Sequence, residues 1–88
     1  MSISEITEAL KREYELRGGA DDTFIEIRKT DLDVMIGGNP NGLLKLALDL
    51  LWLADKGVNG SHTHVDEHSN ADIAEVPIVL FRSSEGGP

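Results

Sequence analysis

The fold of this 88-residue chain is decided by residues 23–56, TFIEIRKTDLDVMIGGNPNGLLKLALDLLWLADK. The first part of this stretch holds two runs, residues 23–29 and 32–36, in which apolar and polar side chains alternate around Thr30-Asp31. Alternation with a period of two is typical of half-buried strands, and a short polar connection between two such runs indicates a hairpin. One face of each predicted strand is apolar, so the hairpin needs a cover.

The cover follows directly in the sequence. Gly37-Gly38 ends the second strand, Asn39 suits a helix N-cap, and Pro40 suits the first helical position. The predicted helix, residues 41–56, is apolar over most of its circumference, which indicates burial on more than one side. We expect one side to meet the sheet, and the other to meet the first helix or a second copy of the protein through residues 43–54.

One residue of this helix has two interpretations. Trp52 lies beside the polar stripe of the helix, which consists of Lys45, Asp49 and Lys56. Its bulk is typical of a core or edge-of-core residue. Tryptophan is also enriched at binding hot spots, so an interface anchor is the alternative.

The flanking segments complete the predicted fold. Ser2 and Glu5 resemble a capping box that opens a helix over residues 3–17. Residues 61–66 and 76–82 are predicted strands, separated by a polar connection. The order α-β-β-α-β-β predicts an α+β fold, a two-layer α/β sandwich with a four-stranded, mainly antiparallel sheet. We expect a single domain over residues 1–82 and a flexible tail over 83–88.

Composition excludes several classes of function. The chain has 16 acidic and 8 basic residues, a net charge of -8, and no cysteine. Phosphate binding needs clustered Lys and Arg, so nucleic acid is not an expected partner, whereas a basic protein would be attracted. Disulfides and thiolate zinc sites are excluded. No segment is apolar enough to span a membrane and no secretory signal is present, so we expect a cytoplasmic protein.

The most distinctive segment is residues 60–68, GSHTHVDEH, which holds all three histidines. In a strand, His62, His64 and Asp66 share one face. They could bind a metal ion as two imidazoles and a carboxylate, present a surface to a partner, or form a polar sheet face with hydrogen bonds to neighbours such as Glu26, Arg28 or Asp33. The segment departs from the HxHxDH pattern of metallo-β-lactamases because Glu67 displaces His68.

The chain shows no pattern that predicts catalysis. Adjacent strand residues face opposite ways, so Ser61 and His62 do not form part of a triad. The glycine pairs match neither a phosphate-binding loop nor a dinucleotide fingerprint. We therefore predict that the protein is not an enzyme and carries no cofactor.

Taken together, four segments resemble the immunity protein 32 family, small bacterial proteins predicted to neutralise polymorphic toxins. The segments are Ile36-Gly37-Gly38-Asn39 with Gly42-Leu43, the helix to Ala54, Gly60-Ser61-His62-Thr63-His64-Val65-Asp66, and Pro77-Ile78-Val79-Leu80-Phe81-Arg82. The resemblance covers residues 24–82. It implies stoichiometric binding of a toxin as part of a toxin–antitoxin pair.

The acidic character of the chain suggests that such a toxin domain would be basic. We expect the contacts to come from the following residues: His62, His64, Asp66, Glu67, Asp31, Asp33 and Glu75. The two alternatives are a small metal-binding protein that uses His62 and His64, and a homodimeric structural or regulatory module.

Overall fold

The computed structural model of the protein describes residues 1–83, which form two helices, one short 3-10 helix and five strands. The elements are α1 (Ile3–Leu16), a 3-10 helix (Gly19–Asp22), β1 (Ile25–Lys29), β2 (Val34–Gly38), α2 (Pro40–Asp55), β3 (His62–Val65), β4 (Ile73–Ala74) and β5 (Ile78–Phe81). This arrangement confirms the α+β class, the two helices and the hairpin. The residues 84–88, most of the predicted flexible tail, lie outside the described part.

The strands form two sheets, so the predicted single four-stranded sheet is wrong. One sheet has the order β2-β1-β4, and the other consists of β3 and β5. β1 pairs antiparallel with β2 but parallel with β4. The backbone N–H of Asp72 donates to the Ile25 carbonyl (2.9 Å) and that of Glu75 to the Ile27 carbonyl (3.0 Å), so the predicted polar connection occupies the second edge of β1. A strand of two residues leaves no periodic pattern in a sequence.

Both sheets contribute to one hydrophobic core. Ile25 and Ile27 of β1 are fully buried, and Val65 of β3 is 2 % exposed. Around them pack partly buried side chains, namely Leu46, Ala71, Ala74, Val76, Ile78 and Leu80. The alternation in β1 therefore predicts its buried face correctly.

Helix α2 begins as predicted and lies very close to the sheet. The Asn39 side chain caps it, because its Oδ1 accepts from the backbone N–H of Gly42 (2.7 Å). The same oxygen accepts from the N–H of Phe24 (3.0 Å), just before β1. A Cβ atom at Gly42 would overlap the carbonyl oxygen of Phe24, so the absence of a side chain allows this approach.

Helix α1 covers the side of α2 that faces away from the sheet. Its capping box is confirmed: Ser2 Oγ accepts from the Glu5 N–H, and Glu5 Oε1 accepts from the Ser2 N–H, both at 3.1 Å. The hydrogen bond from the Ser2 backbone, followed by that from its side chain, lowers the pKa of the Glu5 carboxyl. The Ser4 hydroxyl donates to Asp55 Oδ2 (2.7 Å), and α1 has no buried residue.

The last strand is tied to the end of α2 by one side chain. Arg82 Nη1 donates to the carbonyls of Leu53 and Ala54 (both 3.2 Å) and of Gly57 (2.5 Å). These are acceptors that the end of a helix leaves without partners. Within residues 1–83, no helix is long and apolar enough to cross a membrane.

Candidate partner-binding surface

The outer face of β3 carries two of the three histidines. His62 and His64 are exposed, whereas Thr63 is half-buried and Val65 is buried, so the strand has the predicted two faces. The two imidazole rings lie edge to face, with centroids 5.1 Å apart and planes at 85°. The Nδ1 atom of His62 lies 3.1 Å from the Gly60 carbonyl oxygen.

The neighbours of these histidines belong to β5, which corrects one of the interpretations of the segment. The register pairs His62 with Phe81 and His64 with Val79, and directly opposite residues share a face of the sheet. Glu26, Arg28 and Asp33, suggested above as hydrogen-bonding neighbours, belong to the β1–β2 hairpin in the other sheet. The sequence gives no direct indication of which strand pairs with β3.

Val79 and Phe81 are therefore surface residues that the sequence analysis missed. Val79 is 45 % exposed and Phe81 is 66 % exposed, although both follow a predicted strand pattern. The alternation over residues 78–81 indicates which two face outward, but only the register places them beside the histidines. We call His62, His64, Val79 and Phe81 the β3–β5 face.

A hydrogen-bonded turn that begins at Asp66 follows β3 at one end of this face. The backbone N–H of Asp66 donates to the Ser69 carbonyl (2.8 Å), and Asp66 Oδ1 accepts from the His68 N–H (2.9 Å). Asn70 has a φ of 71° and donates from Nδ2 to the His64 carbonyl (2.9 Å). Asp66 is half-buried, while Glu67 is exposed. Two of the predicted acidic contacts thus follow the β3–β5 face directly.

The other three predicted acidic residues form a second group at the end of β1. Asp31 and Asp33 are exposed in the β1–β2 connection, where the Asp33 carbonyl accepts from the Thr30 N–H (2.8 Å). Glu75 follows β4, and its Oε1 accepts from the Lys29 N–H (2.9 Å). Parallel pairing of β4 with β1 therefore brings Glu75 to the hairpin turn, a proximity that the sequence does not show.

The metal-binding interpretation gains no support from the geometry. Within the described residues 1–83, no group of three or more His, Cys, Asp or Glu side chains is placed to hold a metal ion. Asp66 Oδ1 accepts a hydrogen bond from its own turn rather than pointing with the two imidazoles toward a shared centre.

The other predicted contact, a dimer seam on α2, is limited by α1. The Ser4 hydroxyl of α1 donates to Asp55 of α2 (2.7 Å), and Asn41 of α2 donates to the carbonyls of Arg17 and Gly19 (3.0 and 3.2 Å), just after α1. These contacts hold α1 against one side of α2. Trp52 remains 49 % exposed at the edge between the helices, consistent with an edge-of-core residue.

Comparison with known proteins gives one family. A family model described as Immunity protein 32 matches residues 33–83, which is more than half of the chain. The matched part includes β2, α2 and the whole β3–β5 sheet, and it begins after β1. No curated protein and no solved structure matches the chain.

Proposed function

Because this chain belongs to the Immunity protein 32 family, we propose that it neutralises a bacterial toxin by binding it stoichiometrically in the cytoplasm. Immunity proteins bind a toxin as a protein partner and are generally not enzymes. The proposed action therefore needs a surface of the right chemistry rather than a catalytic centre.

The observation that carries this proposal is the β3–β5 face with its acidic border. Phe81 supplies a broad, exposed aromatic side chain of a type enriched at protein interfaces, and the two exposed imidazoles share its face. The strand pairing and the core residue Val65 behind this face hold it in place. A surface that is ordered before binding loses little conformational entropy when a partner docks.

Charge supports a basic toxin domain as the partner. The chain carries a net charge of -8, and Asp66 and Glu67 follow β3 directly. Asp31, Asp33 and Glu75 extend the acidic surface around the hairpin turn. Such a field attracts a basic domain and accelerates its association, more strongly at low ionic strength.

The proposal is tested by first examining whether the gene immediately upstream encodes a large secreted protein with a variable C-terminal domain. That domain is then titrated with this protein, and binding is followed by calorimetry. We expect the double variant Asp66→Lys/Glu67→Lys to bind at least about tenfold more weakly in low salt, because attraction at the border becomes repulsion. Phe81→Ala should weaken binding by about the same factor through loss of apolar contact.

The matched control is Glu8→Lys/Glu15→Lys on α1. It changes the net charge by the same amount, from -8 to -4, away from the β3–β5 face. Because Asp66 supports its turn, Glu67→Lys alone is a second variant that leaves those hydrogen bonds intact. Unchanged affinity of all three site variants in low salt would contradict the assignment of this surface.

A further inference from the structure

The edge strand β2 is exposed and apolar along most of its length. Val34, Met35 and Ile36 are 53 %, 57 % and 48 % exposed. Among residues 1–83, β2 has β1 on one side and no strand on the other. Proteins normally protect such an edge with charges, proline or a covering element, because it can pair with another strand. Here residues 34–44 contain no charged side chain, in a chain that is 27 % charged.

The register shows which backbone groups of β2 are free. The Asn39 N–H donates to the Phe24 carbonyl (3.1 Å), and the Thr30 N–H donates to the Asp33 carbonyl (2.8 Å). Hydrogen-bonded pairs alternate along an antiparallel ladder, so Met35 and Gly37 also bond to β1. The N–H and C=O groups of Val34, Ile36 and Gly38 therefore point away from β1, toward solvent.

These free groups are self-complementary, and we propose that β2 pairs antiparallel with β2 of a second copy to form a two-fold homodimer. With the two-fold axis at Ile36, the central residue of β2, Ile36 pairs with its own counterpart. Val34 then pairs with Gly38 of the second copy, and Gly38 with its Val34. Every outward-pointing residue of β2 thus gains a partner, and the two three-stranded sheets join into one of six strands.

The side chains support the same contact. Val34 and Ile36 lie on the face of the sheet that carries Ile25 and Ile27, because directly opposite residues share a face. Above this face, α2 leaves Leu43 51 % and Leu50 53 % exposed.

Both leucines lie on one exposed flank of α2. Leu43 and Leu50 project about 60–80° from the row of Gly42, Leu46 and Leu53 that faces the sheet, and β2 is the strand of this sheet that lies nearest to α2. Pairing of β2 strands would bring the leucine flanks of both copies together over the new sheet. The exposed part of the predicted α2 seam thus becomes continuous with the β2 edge.

Charge favours a second copy over a basic partner at this edge. The uncharged stretch from Val34 to Leu44 offers no electrostatic attraction to a basic domain, unlike Asp66 and Glu67 beside the β3–β5 face. Continuing the proposed register also places Asp33 opposite Asn39 of the second copy, the N-cap of its α2. A carboxylate is stabilised near the N-terminus of a helix. The β3–β5 face with Asp66 and Glu67 remains free, so the dimer can bind toxin there, whereas Asp33 contacts the second copy.

Sedimentation velocity of the wild-type protein over a range of concentrations and salt tests this proposal. We expect a species of twice the 9.6 kDa chain mass at high concentration. Since each copy carries a charge of -8, added salt should strengthen the dimer, whereas it should weaken a complex with a basic toxin. A monomer under all conditions would overturn the dimer and leave the proposed toxin binding untouched.

Single cysteines locate the two-fold axis, because the chain has none of its own. Hydrogen-bonded antiparallel partners have Cα atoms about 5.5 Å apart, which suits a disulfide. Ile36→Cys should therefore form a covalent dimer on mild oxidation. Met35→Cys is the matched control, since strand geometry places its two Cα atoms about 8 Å apart, too far for a disulfide. Equal crosslinking of both variants, or none of Ile36→Cys, would contradict the register.

Discussion

At the residue scale, Asn39 and Gly42 at the start of α2 set the distance between this helix and the sheet. Asn39 uses one oxygen for the helix cap and for the Phe24 N–H, and its Nδ2 donates to the Asp22 carbonyl (2.6 Å). Gly42 then turns toward Phe24 and Ile25 with no side chain between them. The cap was predictable from the sequence, since Asn before Pro is a common helix start. The need for glycine at position 42 was not, because it depends on a contact across the fold.

The variant Gly42→Ala should destabilise the protein by about 3 kcal/mol, because its Cβ would meet backbone atoms of Phe24 that cannot move aside cheaply. Intrinsic helix propensity alone predicts that alanine would stabilise the helix. A loss of stability would therefore come from the close contact between residue 42 and Phe24. Urea unfolding measures it.

Gly37→Ala is the control, since its Cβ would meet only Glu26 Cγ at 3.9 Å. This variant should change the free energy of unfolding by less than about 1 kcal/mol. Equal losses for both variants would show that α2 does not lie as close to the sheet as described.

At the scale of elements, Arg82 joins the end of β5 to the end of α2. Its guanidinium meets three carbonyl groups near the C-terminus of the helix, where positive charge is also favoured by the helix dipole. This contact links the two-stranded sheet to the helix that covers the other sheet. The sequence predicts Arg82 only as the end of a strand, because its partners are distant along the chain.

Arg82→Met should lower the free energy of unfolding by about 1–2 kcal/mol, through loss of charge-assisted hydrogen bonds. Thermal or urea unfolding would measure this. Arg28→Met serves as control because its ion pair with Glu26 is 3.5 Å long and partly exposed, so we expect a loss below about 0.5 kcal/mol. If both variants lose the same amount, the contact with α2 contributes nothing specific.

Some features of these elements could be predicted from the sequence, and others could not. The hairpin, both helices and the outward position of His62 and His64 follow from local periodicity and capping. The division into two sheets does not, because Ile73–Ala74 is too short to show a period and its pairing depends on Asp72 and Glu75 meeting β1. For the same reason Val79 and Phe81 could not be placed beside the histidines. Local order is thus readable from the sequence, whereas strand partners depend on tertiary contacts.

At the scale of the whole molecule, the core depends on residues outside the family match. Ile25 and Ile27 are the most buried side chains of the core, yet the match begins at residue 33. Helix α1, by contrast, buries none of its residues. The strand that organises the core therefore belongs to the part of the chain that the family model does not cover.

Deletion of residues 1–32 should abolish folding, because it removes β1 and its two isoleucines. Deletion of residues 1–17 should leave a cooperatively unfolding protein of lower stability, since it removes only α1. Near-ultraviolet circular dichroism of Trp52 and urea unfolding would distinguish the two. Cooperative folding of the shorter fragment would contradict the central role of β1.

The parallel pairing of β4 with β1 also determines when the sheet can be completed during synthesis. The contact between Ile25 and Asp72 joins residues 47 positions apart, whereas β2 follows β1 after a short turn. At ordinary rates of translation, the ribosome needs roughly 2–9 s to add those intervening residues. During that time the nascent hairpin and α2 exist with the second edge of β1 open. The strand at the centre of this sheet thus keeps one edge unpaired until residues 72–75 have been synthesised.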